Sequence, residues 1–386
     1  MVSDMSLKEL LRDLHALFTR LYGPGPVRFF RAPGRINIIG EHTDYNEGFV
    51  LPAAIDRSVL LAARPRSGRD VRAYSANLRR QTRFNLRRLT RAANSWNNYI
   101  KGVAWVLQTE GYRLPGLDLA LESDVPVGAG LSSSAALEVA AAFAWQKIAG
   151  LKIAGPRLAV LSRRAENEFV CVPCGIMDQF ASRMGKRGSA ILLDCRTLRW
   201  RRVALDDREV RFVVADTGVR RALASSEYAV RRAQCEQAVE HLKQWLPSIR
   251  SLRDVAGTEF EALSKRLPTL LRKRARHVIT ENARVHACAR AIAAGEWDSV
   301  GALMNASHES LRSDYQVSSP ELDDLVRLAR GVPGVMGARM MGAGFGGCVI
   351  ALVRRQATDA LAARVLRKYP QVFACSIENG AEEIRK

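Results

Sequence analysis

Residues 125–148 carry the pattern that most restricts what this chain can become. Val125-Pro126-Val127-Gly128-Ala129-Gly130-Leu131-Ser132-Ser133-Ser134-Ala135-Ala136-Leu137-Glu138 is a glycine- and serine-rich turn running into an alanine-rich helix that reaches about Ile148. Glycines let a backbone approach an anion closely. The first N–H groups of such a helix have no internal partner and carry positive potential. With three serine hydroxyls added, Gly128 to Ser134 form an anion cradle, and one serine could also meet a magnesium ion. The loop is not a Walker A motif, because no Gly-Lys-Ser/Thr follows, and it lacks the third glycine of a dinucleotide fingerprint. On these residues alone an ordinary turn before a helix reads equally well.

A second stretch concentrates hydrogen-bonding groups. In Arg31-Ala32-Pro33-Gly34-Arg35-Ile36-Asn37-Ile38-Ile39-Gly40-Glu41-His42-Thr43-Asp44-Tyr45-Asn46 an apolar run ends in glycine, and two acids and a histidine follow within four positions. A strand leading into such a loop aims acceptors at one small polar ligand. Pro33 and Gly34 predict a sharp turn that holds Arg35 near it. Taken alone, a solvated surface loop has the better odds.

Further along, Asp178 sits among Ile176, Met177 and Phe180. A carboxylate there stays charged only beside a cation or good donors, and Arg35 is a candidate. The pair suits a base that removes a hydroxyl proton; a structural buried ion pair is the plainer reading. Glu166 fits a magnesium ligand or a helix-surface acid, and Tyr228 a sugar contact or core packing. Gly342, Gly344 and Gly347 satisfy G-x-G-x-x-G formally. A strand-like run follows rather than a helix, so a tight turn packed near another site is the better assignment.

Leu7, Leu10, Leu11, Leu14, Leu17, Phe18 and Leu21 recur at helical spacing after a Ser6–Glu9 capping box, and Gly23 to Pro26 end the helix. Strands are expected at 27–30, 36–39, 59–63, 117–121, 190–194, 210–216 and 348–353, with a helix at 96–109. Strands and helices mix without strict alternation, which predicts an α+β class. A boundary is expected near 185–205, giving domains 1–190 and 191–386.

Lys+Arg 59 against Asp+Glu 39 gives a net charge of +20, with arginine dominating. The basic clusters at 79–91, 199–202 and 272–276 are not interleaved with stacking aromatics, so solvated arginine-rich faces are expected and no nucleic-acid partner. Seven scattered cysteines do not suggest a disulfide framework. Cys171-Val172-Pro173-Cys174 is a lone pair without zinc-ligand company. Charged residues break the N-terminus as a signal peptide, and no apolar run is long enough to span a bilayer. A cytoplasmic location without membrane partners is expected.

Taken together these residues resemble galactokinases, within the GHMP small-molecule kinases. Gly34 to Asn46 looks like the galactokinase signature. Pro126 to Ala136 resembles the superfamily's ATP loop and Met340 to Cys348 its third motif. Pro173-Cys174-Gly175-Ile176-Met177-Asp178-Gln179 and Leu223-Ala224-Ser225-Ser226-Glu227-Tyr228 are also galactokinase-like.

The resemblance implies a two-domain GHMP-kinase-like fold with its active site in the interdomain cleft, and a monomer. It implies ATP-dependent phosphorylation of the anomeric hydroxyl of α-D-galactose, the first step of galactose catabolism, with ATP and Mg2+ as cofactors. Glu41, His42, Thr43, Asp44, Gly175, Asp178 and Tyr228 would bind galactose. Asp178 would be the catalytic base and Arg35 would orient it. Gly128, Ala129, Gly130, Leu131, Ser132, Ser133 and Ser134 would hold the phosphates, and Ser75, Trp96 and Tyr99 the rest of the nucleotide. Ser134 and Glu166 would bind magnesium. Two departures stand out: Met341 where relatives have threonine, and Asn167 where many have histidine. A kinase for another sugar such as N-acetylgalactosamine, and a sugar sensor without turnover, are the competing readings.

Overall fold

The computed structural model describes residues 7–93, 95–206, 208–219 and 224–384, the side chains of 224–226 excepted. Ser6 of the expected capping box, and Leu223 with the side chains of Ala224 to Ser226, lie outside the described residues. Along the chain run α1 (Leu7–Tyr22), β1 (Arg28–Asn37), β2 (Phe49–Val50), β3 (Pro52–Arg66), β4 (Asp70–Ser75), β5 (Arg80–Asn85), α2 (Asn97–Thr109), β6 (Gly116–Ser123), α3 (Ser133–Ile148), α4 (Gly155–Arg164), α5 (Met177–Met184), β7 (Ser189–Asp194), β8 (Trp200–Ala204) and β9 (Val210–Asp216). There follow α6 (Ala224–Leu242), α7 (Gly257–Leu263), α8 (Thr269–Ala294), α9 (Trp297–Ser310), α10 (Pro320–Arg330), β10 (Val335–Met341), β11 (Cys348–Arg354), α11 (Thr358–Leu366), β12 (Gln371–Cys375) and β13 (Glu382–Ile384). The mixed α+β class expected from the sequence is the one found.

The first sheet has the order β13-β1-β3-β6-β4-β5. Side chains alternate across its faces. Phe29, Leu60, Ala62 and Ala120 meet Leu11, Leu14 and Phe18 of α1. Phe30, Leu61, Ala63 and Leu119 face the opposite way, into a core shared with α2 and α3. Each fully buried Leu or Phe contributes roughly 1.5–3 kcal/mol, so both faces anchor the sheet. The second sheet, β10-β11-β9-β12, packs on α6, α8, α10 and α11.

Pro33 and Gly34 do not form the expected turn. They lie inside β1, where its register with β3 shifts between Pro33 and Arg35. A bulge tolerates proline within a sheet and re-aims the next side chain. A Cβ on Gly34 would come within 2.8 Å of Leu131 O, and the Arg35 amide donates to that same oxygen at 3.2 Å. Glycine is there so that the strand can touch the loop before α3.

The chain crosses the expected boundary at 190 in both directions. β7 spans that position and joins β8 and β2 in a three-stranded sheet. β13, at the far end of the chain, pairs with β1. Ile36, Ile38 and Leu131 share one core with Val285, Met304, Met341 and Ile350. The reason is topological: an edge strand can come from anywhere in the sequence.

The arginine clusters are not uniformly solvated. Arg79, Arg80, Arg87, Arg88 and Arg91 are exposed. Arg274 is buried, and donates to Gln234 Oε1, Asp314 O and Gln316 Oε1. It braces α8 against the end of α9, a role no charge count reveals.

Candidate functional site

Where the first sheet's β1 meets the second sheet's β10, residues 37–42 are clamped from beneath. Arg339, fully buried on β10, donates to Ile38 O at 2.9 Å, Asn37 O at 2.8 Å and Glu41 Oε1 at 3.0 Å. The Gly342 amide gives Glu41 Oε1 a second bond at 2.9 Å. Glu281 Oε1 accepts from the Gly40 amide at 2.9 Å. His277 Nε2 lies 3.1 Å from Glu41 O, and burial lowers this imidazole to about 4, so it is neutral near pH 7. Glu41 is therefore oriented before any ligand arrives.

Above this clamp lies a cavity of about 230 Å³, lined by Arg35, Glu41, His42, Asp44, Val172, Pro173, Cys174, Gly175, Met177, Asp178, Tyr228, Gly342 and Ala343. Drug-sized ligands occupy roughly 300–1,000 Å³, so this space suits a smaller polar molecule. Burial and the neighbouring Asp178 charge push Asp44 up to about 7. Burial lowers His42 to about 3. Its Nδ1 sits 2.8 Å from Tyr45 OH, which meets Tyr315 OH at 2.7 Å. The ring is a neutral group in the cavity wall. Gly175 is required because a Cβ there would come within 1.8 Å of Asp44 Oδ2.

Thr43 does not reach the cavity. Its buried hydroxyl lies 2.8 Å from Gly40 O and 2.7 Å from Phe49 O, which ties the loop together. The left-handed backbone at His42, φ 62°, turns the histidine in and sends Thr43 into the wall.

Asp178, in the first turn of α5, stands at the junction of cavity and glycine loop. Its Oδ1 accepts from Arg35 Nε at 3.0 Å and Nη2 at 2.9 Å. Its Oδ2 accepts from Ser132 Oγ at 2.5 Å. Arg35 also donates to Gly130 O. One arginine thus ties β1, α5 and the loop.

The loop takes left-handed conformations at Gly128, Gly130 and Ser132. Ser132 precedes α3 without capping it, so the helix's first N–H groups keep no side-chain partner. The other glycine-rich stretch is packed backbone to backbone against it: a Cβ on Gly342 would meet Gly130 Cα at 3.1 Å. That is the tight turn near another site expected from the sequence. At the departure Met341, the sulfur lies 3.3 Å from the Asn37 amide.

Glu166 lies in a π-helical turn, Ala165–Val170, that prolongs α4. Burial and the Asp178 charge raise it to about 7, against hydrogen bonds from Cys174, Ser134 and Gln179. A hard cation held between this carboxylate and the Ser134 hydroxyl would relieve that burial cost, and oxygen donors are what magnesium takes. The residues fit the ion. Ser75, Trp96 and Tyr99 do not line the cavity. Tyr99 is close enough to feel the charges of Glu166 and Glu138, and burial with those charges raises it to about 12. Asn167 spends its side chain on Cys174, with Oδ1 accepting from the Cys174 amide at 2.8 Å. Both Cys171 and Cys174 are free thiols.

Arg339, Tyr45, Tyr315, His277 and Glu281 were not legible as site residues. Only Tyr45 had a signal, its place in the signature; the others act from elements distant in sequence.

Three family models match the chain: a galactokinase galactose-binding signature over residues 16–65, a GHMP kinase N-terminal domain over 98–186 and a GHMP kinase C-terminal domain over 288–374. A galactokinase of Roseiflexus sp. is 46% identical over 379 residues, covering 96% of this chain and 97% of the relative. A galactokinase of Chloroflexus aurantiacus is 48% identical over 360 residues, covering 93% and 92%. The crystal structure of Lactococcus lactis galactokinase complexed with galactose superposes with a TM-score of 0.93 at 37% identity, covering 97% of this chain and all of that one. A Methanococcus jannaschii mevalonate kinase, 18% identical with a TM-score of 0.65 over 92% of this chain and 99% of its own, shares the fold. The chain belongs to the galactokinase family of the GHMP kinases.

Proposed function

We propose a residue-level account of how this sugar kinase phosphorylates galactose with ATP. The sugar occupies the cavity, where Glu41, His42 and Asp44 take its hydroxyls and Tyr228 flanks it. Its anomeric hydroxyl points at Asp178. The ATP phosphates lie on the N–H groups of Gly128 to Ser134. Arg35 steadies Asp178 and the charge on the transferring group, while Asp178 takes the hydroxyl proton. Ser134 and Glu166 would hold a magnesium ion, which when bound neutralises charge on the phosphate oxygens. Phosphoryl transfer asks for this kind of positioning and charge compensation more than for covalent chemistry.

The single observation that carries the reading is Asp178 held between Arg35 and Ser132, one contact from the cavity side and one from the loop. The Lactococcus lactis enzyme, solved with galactose, makes galactose the first sugar to try. ADP release measured across a panel of monosaccharides tests it. Galactose should be the preferred acceptor. A strong preference for N-acetylgalactosamine, or sugar binding without ADP release at any magnesium level, would overturn it.

A further inference from the structure

Behind the cleft, three side chains from three elements form a bridge that the account above does not use. Gln179 on α5 is fully buried. Its amide nitrogen lies 2.7 Å from Glu166 Oε2 and 3.0 Å from Oε2 of Glu138, a fully buried acid on α3. The nitrogen carries two hydrogens, so it can serve both acids at once. Turned the other way, the amide would set its oxygen against two acceptors. The hydrogen bonds from Gln179 and Cys174 both fall on Glu166 Oε2, which leaves Oε1 outside the bridge.

A brace whose task was only to join α3 to α5 would satisfy its own members. This one does not: Glu138 Oε1 and Gln179 Oε1 are buried without a hydrogen-bond partner among the described residues. Unpaired buried polar atoms cost stability, and apolar side chains of similar size would join the helices better. What the bridge supplies is a fixed orientation for Glu166.

We propose that Glu138 is a positioning residue: through Gln179 it holds the Glu166 carboxylate in the orientation that a nucleotide-bound divalent cation needs. The proposal rests on the reading of Glu166 as a cation ligand. Partners that orient metal ligands typically matter by 10–100-fold in metal affinity.

The test is Mn2+ titration of the full chain with ADP bound, followed by electron paramagnetic resonance, beside a separate titration with galactose. Glu138→Leu should weaken Mn2+ by about tenfold or more and leave galactose affinity within about twofold. Glu138→Gln, whose side-chain oxygen can take the same amide hydrogen, should restore most of the loss. Unchanged Mn2+ affinity in Glu138→Leu, or equal loss of Mn2+ and galactose, overturns the proposal. Should that variant not fold, Gln179→Met removes the bridge from its middle and is held to the same outcomes; if neither folds, the bridge is a structural brace and the proposal falls. Glu166→Gln separates the two ideas. If it leaves Mn2+ affinity unchanged, the ligand reading fails and takes the proposal with it. If it weakens Mn2+ while Glu138→Leu does not, only the proposal fails.

Discussion

The sugar cavity and the phosphate loop solve opposite problems. Around the cavity, polar atoms are largely spent on the protein. Glu41 is held by Arg339 and Gly342, His42 by Tyr45, and the loop backbone by Glu281 and His277. The loop instead keeps its helix N-terminus uncapped and relies on glycine conformations for shape. A neutral sugar offers only hydroxyls, so its site gains from acceptors locked in place beforehand. A polyphosphate brings its own charge, so its site gains from donors left free. Asp178 belongs to both, through Arg35 and Ser132.

Four experiments would break or sharpen that contrast. The largest effect is expected at the shared residue. Asp178→Asn should lower turnover by on the order of 10²-fold or more if it acts as a base, with galactose affinity nearly unchanged. Near-full turnover of the variant in an ADP-release assay would reduce Asp178 to a substrate holder. Next comes the clamp. Arg339→Met leaves Glu41 buried without its cation, and losing one partner of a buried pair costs about 3–5 kcal/mol. Chemical denaturation should read that loss. A midpoint equal to the parent's would mean that the cavity is not preassembled in the way described.

Gly175→Ala tests the sugar side alone. The added Cβ displaces Asp44, so KM for galactose should rise about tenfold or more, the scale of one lost charge-assisted hydrogen bond, while KM for ATP stays put. Equal changes in both constants would erase the division between the two regions. The mildest test is pH. Asp44 is raised from 3.8 to about 7 by burial and by Asp178. The folded chain thus holds this proton more tightly than the unfolded one. The resulting stabilisation of the free protein is full below about 3.8 and is lost as pH rises through 7. Hydroxyls that donate to the carboxylate favour its ionised form, so galactose should bind up to roughly tenfold more tightly at pH 8 than at pH 6, with proton release. Calorimetry in buffers of different ionisation enthalpy checks this; affinity flat across that range would return Asp44 to an ordinary carboxylate.

Much of this was legible along the chain and some was not. The helix at 97–109, the strand at 210–216 and the helix after the serines follow local periodicity and capping chemistry, which neighbours in sequence decide. The Pro33–Gly34 bulge was misread as a turn because the two residues favour both, and only the loop at Leu131 pressing on Gly34 selects between them. Thr43 was grouped with its neighbours, yet the backbone twist at His42 sends it into the wall. The buried Arg274 looked like any other member of a basic run.

By itself the sequence determined which chemical groups are available and in what local order: acceptors after a glycine, donors at a helix start, an acid among apolar neighbours. Those properties depend on covalent neighbours and short-range hydrogen bonding. Tertiary structure alone decided which of the groups face each other, because Arg35 and Asp178, or Arg339 and Glu41, are brought together by sheet pairing and shared cores across 143 and 298 positions. Burial then set their charges, and burial is a property of the whole fold.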